Sequence, residues 1–318
     1  MQFPGVSFIR NALTGARKGP VLSILIFHRV LGESEPLNVG SVTEPQFASI
    51  IRLVRKSFEC FPLSQAVTRL DAGVPGHMLA VTFDDGYADN YEIALPVLKR
   101  FGVPATIFIA TGYLDGGIMW NDRIAEAISR TTKESVDLED LGEGVFSLAD
   151  AAQRENVRRT IIASLKYRPA KERDELARRV ADQLKIAPRQ DLMLRREQVA
   201  ALGRESMIEI GGHTHSHPIL TCTDSELAAH EMTCGKRELE AITNKAVRGF
   251  AYPNGQPGRD YGPEHVALAE KAGFSFAVST QWGAARAETD RFQLPRFTPW
   301  RRGYLGFTAS LLKVARTV

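Results

Sequence analysis

The sequence predicts an α/β fold, built either as an α/β barrel or as a doubly wound sheet. Short apolar segments alternate with amphipathic helical segments along most of the chain. Strands that are apolar on both faces are typical of a parallel sheet covered by helices, and repeated strand-then-helix order is typical of these two architectures. The chain has 318 residues, of which 44% are hydrophobic and 24% charged, which is enough for one large domain.

Six apolar runs are the strand candidates, and helical segments with clear start and stop signals lie between them. The runs comprise residues 21–27, 78–83, 105–110, 207–210, 249–251 and 274–279. A capping box at residues 43–46 predicts the start of one helix, and Asp89 is the candidate N-cap of a second helix that ends at Gly102. Residues 223–226 predict the start of a third helix, and Pro263 and Gly273 mark the start and end of a fourth.

One section departs from this alternation. Residues 115–196 contain no strong strand candidate, and residues 148–187 have a helical composition. We therefore interpret residues 1–318 as a single domain that carries a helical insertion at residues 116–195. Residues 151–205 carry 14 Lys and Arg against 8 Asp and Glu. Two interpretations of this surplus stay open: a solvated helical face, or a patch that meets anionic lipid, phosphate or an acidic glycan, including peripheral contact with a membrane surface.

Composition narrows the cellular setting and the classes of partner. A net charge of +3 and a pI near 8.7 are too weakly basic to indicate a nucleic-acid partner. Three cysteines without paired spacing predict no disulfide framework and favour a reducing compartment. The first 20 residues lack the apolar segment of a secretory signal, so a cytoplasmic location is expected. An apolar stripe there predicts a packing helix or an interfacial anchor; it consists of Phe3, Val6, Ile9 and Leu13.

Polar residues directly follow four of the strand candidates. His28 follows the first run, Asp84 and Asp85 follow the second, His213 follows the fourth, and residues 252–255 follow the fifth. The carboxyl ends of parallel strands meet at one edge of a barrel or open sheet, and this edge is where such folds place their catalytic groups. We therefore expect these side chains to converge.

The spacing of the histidines predicts a metal site. His213 and His217 are four residues apart, which on a helix or tight turn places both imidazoles on one side. Together with the two imidazoles, one carboxylate of the Asp84–Asp85 pair completes one face of a metal coordination sphere. The other carboxylate is then free to act as a base. His215 lies between the two histidines and is expected to point away. The ligand set fits Zn²⁺, and Co²⁺, Ni²⁺ or Fe²⁺ are allowed by the same geometry.

With these residues in place, the chain resembles the polysaccharide deacetylases of the NodB-homology type, carbohydrate esterase family 4. Residues 82–86 (TFDDG) match the first motif of that family, residues 213–217 (HTHSH) match the second, and residues 250–255 (FAYPNG) resemble the third. The resemblance covers residues 20–115 and 195–300. It implies a distorted (β/α) barrel and metal-dependent removal of N-acetyl groups from N-acetylhexosamine units. It assigns Asp85, His213 and His217 to the metal, and Asp84 to the general base.

Two departures from the family pattern need substitutes within this chain. The third motif commonly has Arg at the position of Ala251 and an aromatic residue at that of Asn254, so another residue must orient the base. Arg296 is the first candidate for this and Arg248 the second. The late Leu-x-His motif that carries the catalytic acid is absent, but residues 26–30 (IFHRV) resemble the early histidine segment of the poly-N-acetylglucosamine deacetylase branch. His28 is accordingly the candidate acid.

Further residues are candidates for contacts with the substrate. The backbone N–H of Asn254 is expected to hold the tetrahedral oxyanion, and Tyr252, Tyr87 and Trp120 are expected to line the sugar site, although packing explains a tryptophan equally well. The expected partner is an N-acetylated glycan or a lipid-linked sugar precursor of a surface polysaccharide. Two alternatives stay open: hydrolysis of a formyl or cyclic amide on a sugar, and a catalytically impaired sugar-binding relative. The sequence does not predict the oligomeric state.

Overall fold

A computed structural model describes residues 19–33 and 41–298. Within these ranges twelve strands occur. In chain order they are β1 (Pro20–Phe27), β2 (Val30–Leu31), β3 (Val42–Thr43), β4 (Glu59–Cys60), β5 (Gly76–Phe83), β6 (Ala105–Ile109), β7 (Ser135–Asp137), β8 (Val145–Ser147), β9 (Ile208–Gly212), β10 (Gly249–Ala251), β11 (Phe276–Trp282) and β12 (Leu294–Arg296).

The α-helices of the same ranges lie between these strands. They are α1 (Glu44–Ser57), α2 (Leu63–Asp71), α3 (Leu95–Phe101), α4 (Trp120–Arg130), α5 (Ala151–Leu165), α6 (Ala170–Gln183), α7 (Arg196–Arg204), α8 (Ser225–Thr243) and α9 (Pro263–Lys271). Several of them begin where the sequence predicts. Thr43 and Gln46 form the capping box of α1, and the Asp224 carboxylate caps α8 by accepting from the Leu227 N–H.

The main sheet is parallel and nearly closes on itself. Its strand order is β1-β5-β6-β9-β10-β11-β12, with the short β4 paired to the start of β5. Beyond β12, the Phe297 N–H donates to Ile24 O at 3.0 Å, and the Ile26 N–H donates to Phe297 O at 3.1 Å. These bonds join the last strand to the first, so the predicted α/β barrel is confirmed and the doubly wound sheet is excluded.

Alternation along the strands divides the apolar side chains between two sides of the barrel wall. Leu22 and Ile24 of β1 join a buried cluster with Met78 of β5 and Phe276 of β11, and helix α2 packs into the same cluster. The residues that alternate with these, such as Leu25 and Phe27, pack outward against the surrounding helices. Because successive side chains of a strand point to opposite faces, the same strands supply both the barrel interior and the layer beneath the helices.

The predicted insertion contains helices and one short hairpin. Helices α5 and α6 occupy the segment with helical composition, and with α4 they pack around an apolar cluster of their own. The expectation of no strand there is wrong in one respect, because β7 and β8 form an antiparallel pair of three residues each. Both strands are too short for their sequences to show an alternation of apolar and polar residues. The assignment of one domain with an insertion at 116–195 stays a prediction.

Some other expectations differ from the structure in local detail. The strand predicted at 207–210 extends to Gly212, and the one predicted at 274–279 is shifted to Phe276–Trp282. Asp89 does not cap a helix through its side chain, because its carboxylate instead accepts from Arg29 Nε and from the Val30 N–H. The stripe from Phe3 to Leu13 lies outside the described residues. In the ranges described, no helix is both long and apolar enough to cross a membrane.

Candidate metal centre and active site

Asp84 and Asp85 form a tight turn at the carboxyl end of β5. The Asp84 N–H donates to Phe27 O at 3.0 Å, which continues the pairing of β1 and β5 by one residue. Asp85 then adopts the left-handed conformation with φ +76°, and Gly86 follows with φ +87°. A Cβ on Gly86 would lie 2.9 Å from the Ile109 side chain, so only glycine fits. The turn directs the two adjacent carboxylates to different partners.

The histidine segment is a loop held by helix α8, not a helix. Thr214 and His217 have φ of +65° and +52°. The buried Glu231 carboxylate of α8 accepts from the backbone N–H groups of His215 and Ser216 at 2.8 and 2.6 Å, and from Ser216 Oγ at 2.6 Å. Strained backbone of this kind persists only where its surroundings fix it. Glu231 supplies that constraint.

The loop brings three ligand atoms to one point. His213 Nε2 lies 3.3 Å from Asp85 Oδ1, His217 Nε2 lies 3.4 Å from the same oxygen, and the two nitrogens are 3.1 Å apart. Ligands bound at about 2.1 Å are separated by about 3.0 Å at a right angle and about 3.4 Å at the tetrahedral angle. The three separations therefore match one face of a coordination sphere.

A hydrogen bond behind His213 sets its tautomer. His213 Nδ1 donates to the backbone oxygen of Ala251 at 2.7 Å. When the ring is neutral its proton lies on Nδ1, and the Nε2 lone pair is free for a cation, which is the arrangement found behind metal-ligating histidines. Among the described residues, this is the group of His, Cys, Asp and Glu side chains with metal-binding separations. Its donor set fits a divalent cation.

The charges of the three ligand residues are strongly coupled. Burial opposes ionisation of Asp85, but the hydrogen bond from His213 and the charges of His28 and His217 hold its pKa well below the usual value. Burial also opposes the charge on His213, whereas the bond to Asp85 and the nearby carboxylates raise its pKa. Burial and the positive charges of His213 and Arg173 lower the pKa of His217 to about 3. The ligand cluster thus holds an ionised carboxylate and one imidazole with a free lone pair.

Asp84 is held by an arginine that is distant in sequence. Arg296 Nη1 and Nη2 donate to Asp84 Oδ1 and Oδ2, both at 2.7 Å, and the guanidinium also donates to Ser279 O and Thr82 Oγ1. Arg296 is 0% exposed and Asp84 is 2% exposed. Burial opposes the charge on Asp84, but Arg296 and His213 outweigh it, so the pKa of Asp84 is lowered. Arg248, the second candidate, is exposed. Within the described ranges it makes no hydrogen bond or ion pair with Asp84.

His28 follows β1 and lies at the same end of the barrel. Its backbone oxygen accepts from Asn90 Nδ2 at 2.9 Å, and its side chain is half-buried. It is close enough for its positive charge to lower the pKa values of both Asp84 and Asp85. His215 points away from the ligand cluster, because its Nδ1 atom lies 2.9 Å from Thr111 Oγ1.

The remaining predicted residues fall into three environments. Tyr87 is buried, and its hydroxyl donates to both carboxylate oxygens of Asp122. Trp120 is half-buried and borders a cavity. Asn254 is exposed in a left-handed turn with φ +58°. Tyr252 is 0% exposed and stacks on Tyr261 with ring centroids 3.8 Å apart. It packs in the core, so its part in substrate binding stays a prediction.

Sequence reasoning missed two residues that shape the site. Glu231 carries no motif that connects it to the histidine loop 16 residues earlier. Arg173 of α6 is 2% exposed, and the structure gives its Nη2 atom no hydrogen-bond partner. Its charge contributes to the low pKa of His217. It belongs to a charged amphipathic helix in the sequence, and nothing in that pattern distinguishes it from its exposed neighbours.

The fold and the site together describe a parallel (β/α) barrel in which an Asp-His-His cluster with metal-binding separations lies beside a second carboxylate. The family model of the polysaccharide deacetylases matches residues 71–277. The chain belongs to this family, which includes the NodB-homology barrels, and the resemblance stated from the motifs is confirmed.

Solved structures show the same fold. The Streptococcus pyogenes deacetylase PplD, solved in complex with acetate, has a TM-score of 0.62 at 17% identity, and the match covers 93% of this chain and 99% of that one. IcaB from Ammonifex degensii has a TM-score of 0.59 at 19% identity, and the match covers 95% of this chain and 99% of that one.

A short match to a relative of known sequence was also found. The protein YxkH of Bacillus subtilis (strain 168) is 66% identical over 29 residues, which span 9% of this chain and only 10% of that relative.

Proposed function

We propose that this protein is a metal-dependent hydrolase that removes N-acetyl groups from N-acetylhexosamine units of a glycan or of a lipid-linked sugar precursor. Membership of the polysaccharide deacetylase family supports the reaction class. The observation that carries the proposal is the division between two adjacent carboxylates: Asp85 lies with two imidazoles, and Asp84 lies with Arg296. This division supports the assignment of Asp85 to a cation and of Asp84 to proton transfer.

Asp85, His213 and His217 would hold the cation, and Zn²⁺ suits two imidazole nitrogens and one carboxylate oxygen. A bound divalent cation would polarise the amide carbonyl and lower the pKa of a water molecule towards neutrality. Asp84 would then take the proton of the attacking water. Arg296 keeps both Asp84 oxygens in a fixed plane and favours the ionised carboxylate, so the base starts in its proton-accepting form.

The second proton transfer requires an acid at the nitrogen that leaves. We assign it to His28, which lies at the carboxyl end of β1 within electrostatic reach of both aspartates. A protonated His28 imidazole would donate to the amide nitrogen as the C–N bond breaks. The products are acetate and a free amino sugar, with one water consumed. The backbone N–H of Asn254 would stabilise the oxyanion, a role that does not depend on the side chain at this position.

The test measures the metal and the product together. Protein purified without chelator should contain about one divalent cation per chain, with zinc as the expected ion. This protein should release acetate from N-acetylated oligosaccharides or from N-acetylated lipid-linked sugars. An assay for formate on the matching N-formyl sugars, run in parallel, distinguishes deacetylation from deformylation. Protein that holds its metal and releases neither acid from any of these substrates contradicts the proposed function.

A further inference from the structure

A cavity of about 400 Å³ opens between the inserted helices. It is lined by Ile118, Trp120, Arg123, Lys171, Asp174, Glu175 and Arg178. Its volume lies within the range of small-molecule sites, which is about 300–1,000 Å³. Helices α4 and α6 contribute most of its wall, so the insertion builds this cavity.

Side chains of the cavity wall pack against residues that adjoin the metal centre. Ile118 packs in one apolar cluster with Tyr87 and Met193, and Tyr87 follows the Asp84–Asp85 turn directly. Asp122 of the same helix as Trp120 accepts from the Tyr87 hydroxyl at 2.9 Å. The cavity wall and the segment that carries Asp84 and Asp85 are therefore joined through one layer of packed side chains.

The charges in the cavity are unevenly paired. Both carboxylates are engaged by arginines: Asp174 accepts from Arg173 at 3.1 Å, and Glu175 lies 3.8 Å from both Arg178 and Arg179. In the described part of the chain, no carboxylate lies within ion-pairing distance of Arg123 or Lys171. The cavity thus presents two unneutralised cations from two different helices.

A buried arginine adds to this positive character. The Arg173 guanidinium lies over the Trp120 ring, with Cζ 5.1 Å from the ring centroid. The residue is 2% exposed, and its Nη2 atom has no hydrogen-bond partner in the structure. This nitrogen is enclosed behind Trp120, so Arg173 adds positive charge behind the cavity wall and no contact of its own with a ligand there.

We propose that this cavity binds a phosphate or pyrophosphate group attached to the amino sugar, next to the acetamido group at the metal centre. This inference rests on the proposed function, because it assigns the anion to the substrate. A phosphate offers several acceptor oxygens, which suit the planar fork of Arg123 together with the point charge of Lys171. Trp120 lines the same cavity and would border an adjacent pyranose ring. The substrate class is therefore a sugar phosphate, linked to either a nucleotide or a lipid.

The experiment compares one neutral and three phosphorylated substrates. The neutral one is methyl N-acetylglucosaminide, and the others are N-acetylglucosamine 1-phosphate, its uridine diphosphate ester and its farnesyl diphosphate ester. We expect higher kcat/KM for the phosphorylated set, and the ranking within that set identifies the nucleotide or the lipid as the source. Equal or higher kcat/KM for the neutral sugar overturns the proposal.

Variants locate the effect in the cavity. Arg123→Gln with Lys171→Gln should lower kcat/KM for the sugar phosphate at least about tenfold, mainly through KM, because it removes two charge-assisted contacts. The neutral sugar should change less than about twofold, because it makes neither contact. Arg159→Gln with Lys185→Gln removes the same charge from exposed positions of the insertion and should change neither substrate. An equal loss for both substrates, or the same loss in the control, overturns the assignment.

A binding measurement separates this proposal from the proposed function. Calorimetry with metal-free protein and N-acetylglucosamine 1-phosphate reports the anion site without any turnover. Binding that is lost in the Arg123 and Lys171 double variant supports the site even if no acetate is ever released. Absence of binding, with acetate release from neutral sugars intact, overturns the site and leaves the deacetylase function standing.

Discussion

At the scale of single residues, two adjacent aspartates contact different partners, and the roles proposed for them differ for that reason. Asp84 faces a guanidinium inside the barrel, and Asp85 faces two imidazoles at its mouth. Asp85 adopts the left-handed conformation, which turns the chain directly after Asp84. Substitutions at these positions should therefore separate catalysis from metal binding.

Asp84→Asn should abolish most of the turnover while the metal content persists. An amide cannot accept the proton of the attacking water, and general base catalysis contributes about 10²–10⁴-fold to rates. His213→Ala should instead lose the metal, because it removes one of three ligands. Acetate release and metal analysis on the same preparations test both variants. A near wild-type rate for Asp84→Asn would falsify the assignment of the base.

Arg296→Met should destabilise the fold by about 3–5 kcal/mol, since it leaves the Asp84 carboxylate buried without its partner. Arg291→Met is the matched control: Arg291 pairs with Asp71 at 2.7 Å, but about half of its side chain is exposed, so the expected loss is at most about 1 kcal/mol. Urea unfolding measures both. Equal losses in the two variants would show that the Arg296–Asp84 pair contributes no more than a surface ion pair.

At the scale of elements, the loop of the proposed metal ligands is held by a helix that supplies none of them. Helix α8 lies so close to the histidine loop that a Cβ on Gly235 would be 2.7 Å from Thr214 O. From the same helix, the Glu231 carboxylate accepts three hydrogen bonds from residues 215 and 216. These contacts hold the loop in the conformation that brings His213 and His217 together.

Glu231→Ala should lower metal affinity about 10–100-fold, the effect usual for residues that orient ligands. The three groups that donate to Glu231 would then form hydrogen bonds with water, and the loop would lose its fixed geometry. Glu226→Ala removes an exposed carboxylate from the first turn of the same helix and should leave the affinity unchanged. Competition with a chelator of known affinity measures both. Unchanged affinity in Glu231→Ala would show that the loop holds its geometry without this helix.

At the scale of the whole molecule, stability should depend on pH through His77 at the start of β5. Burial, with the positive charge of Arg286, lowers the pKa of His77 to about 4. Its ring lies against Ser23 Oγ and the Phe58 ring. The unfolded chain binds this proton below about pH 6.5, whereas the folded protein binds it only below about 4. The free energy of unfolding should therefore fall by up to about 3 kcal/mol as pH drops through this window.

His77→Gln should remove this part of the pH dependence. Urea unfolding at several pH values between 4 and 7 gives the slope for both proteins, and the variant should have the shallower one. His230→Gln, at an exposed position of α8, is the control and should retain the wild-type slope. If the slopes for wild type and His77→Gln coincide, other groups account for the acid sensitivity.

Much of the barrel could be predicted from sequence because its strands are nearly continuous apolar runs. All eight residues of β1 are buried, so this run is easy to recognise. Strand β12 was not predicted, because its three residues include a proline and an arginine and show no apolar run. The short hairpin of β7 and β8 was missed for the same lack of pattern. Pairing with neighbours, not local propensity, defines strands of this length.

The apolar runs of the sequence determined a parallel α/β fold, and its short motifs determined the family and the group Asp85, His213 and His217. Only the tertiary structure decided what lies behind these residues. Arg296 reaches Asp84 across 212 positions because closure of the barrel by β12 directs both side chains into one interior. Likewise, Glu231 and Arg173 reach the site from helices whose local patterns indicate ordinary amphipathic surfaces. Contacts between distant segments depend on chain path and register, which no short window of sequence encodes.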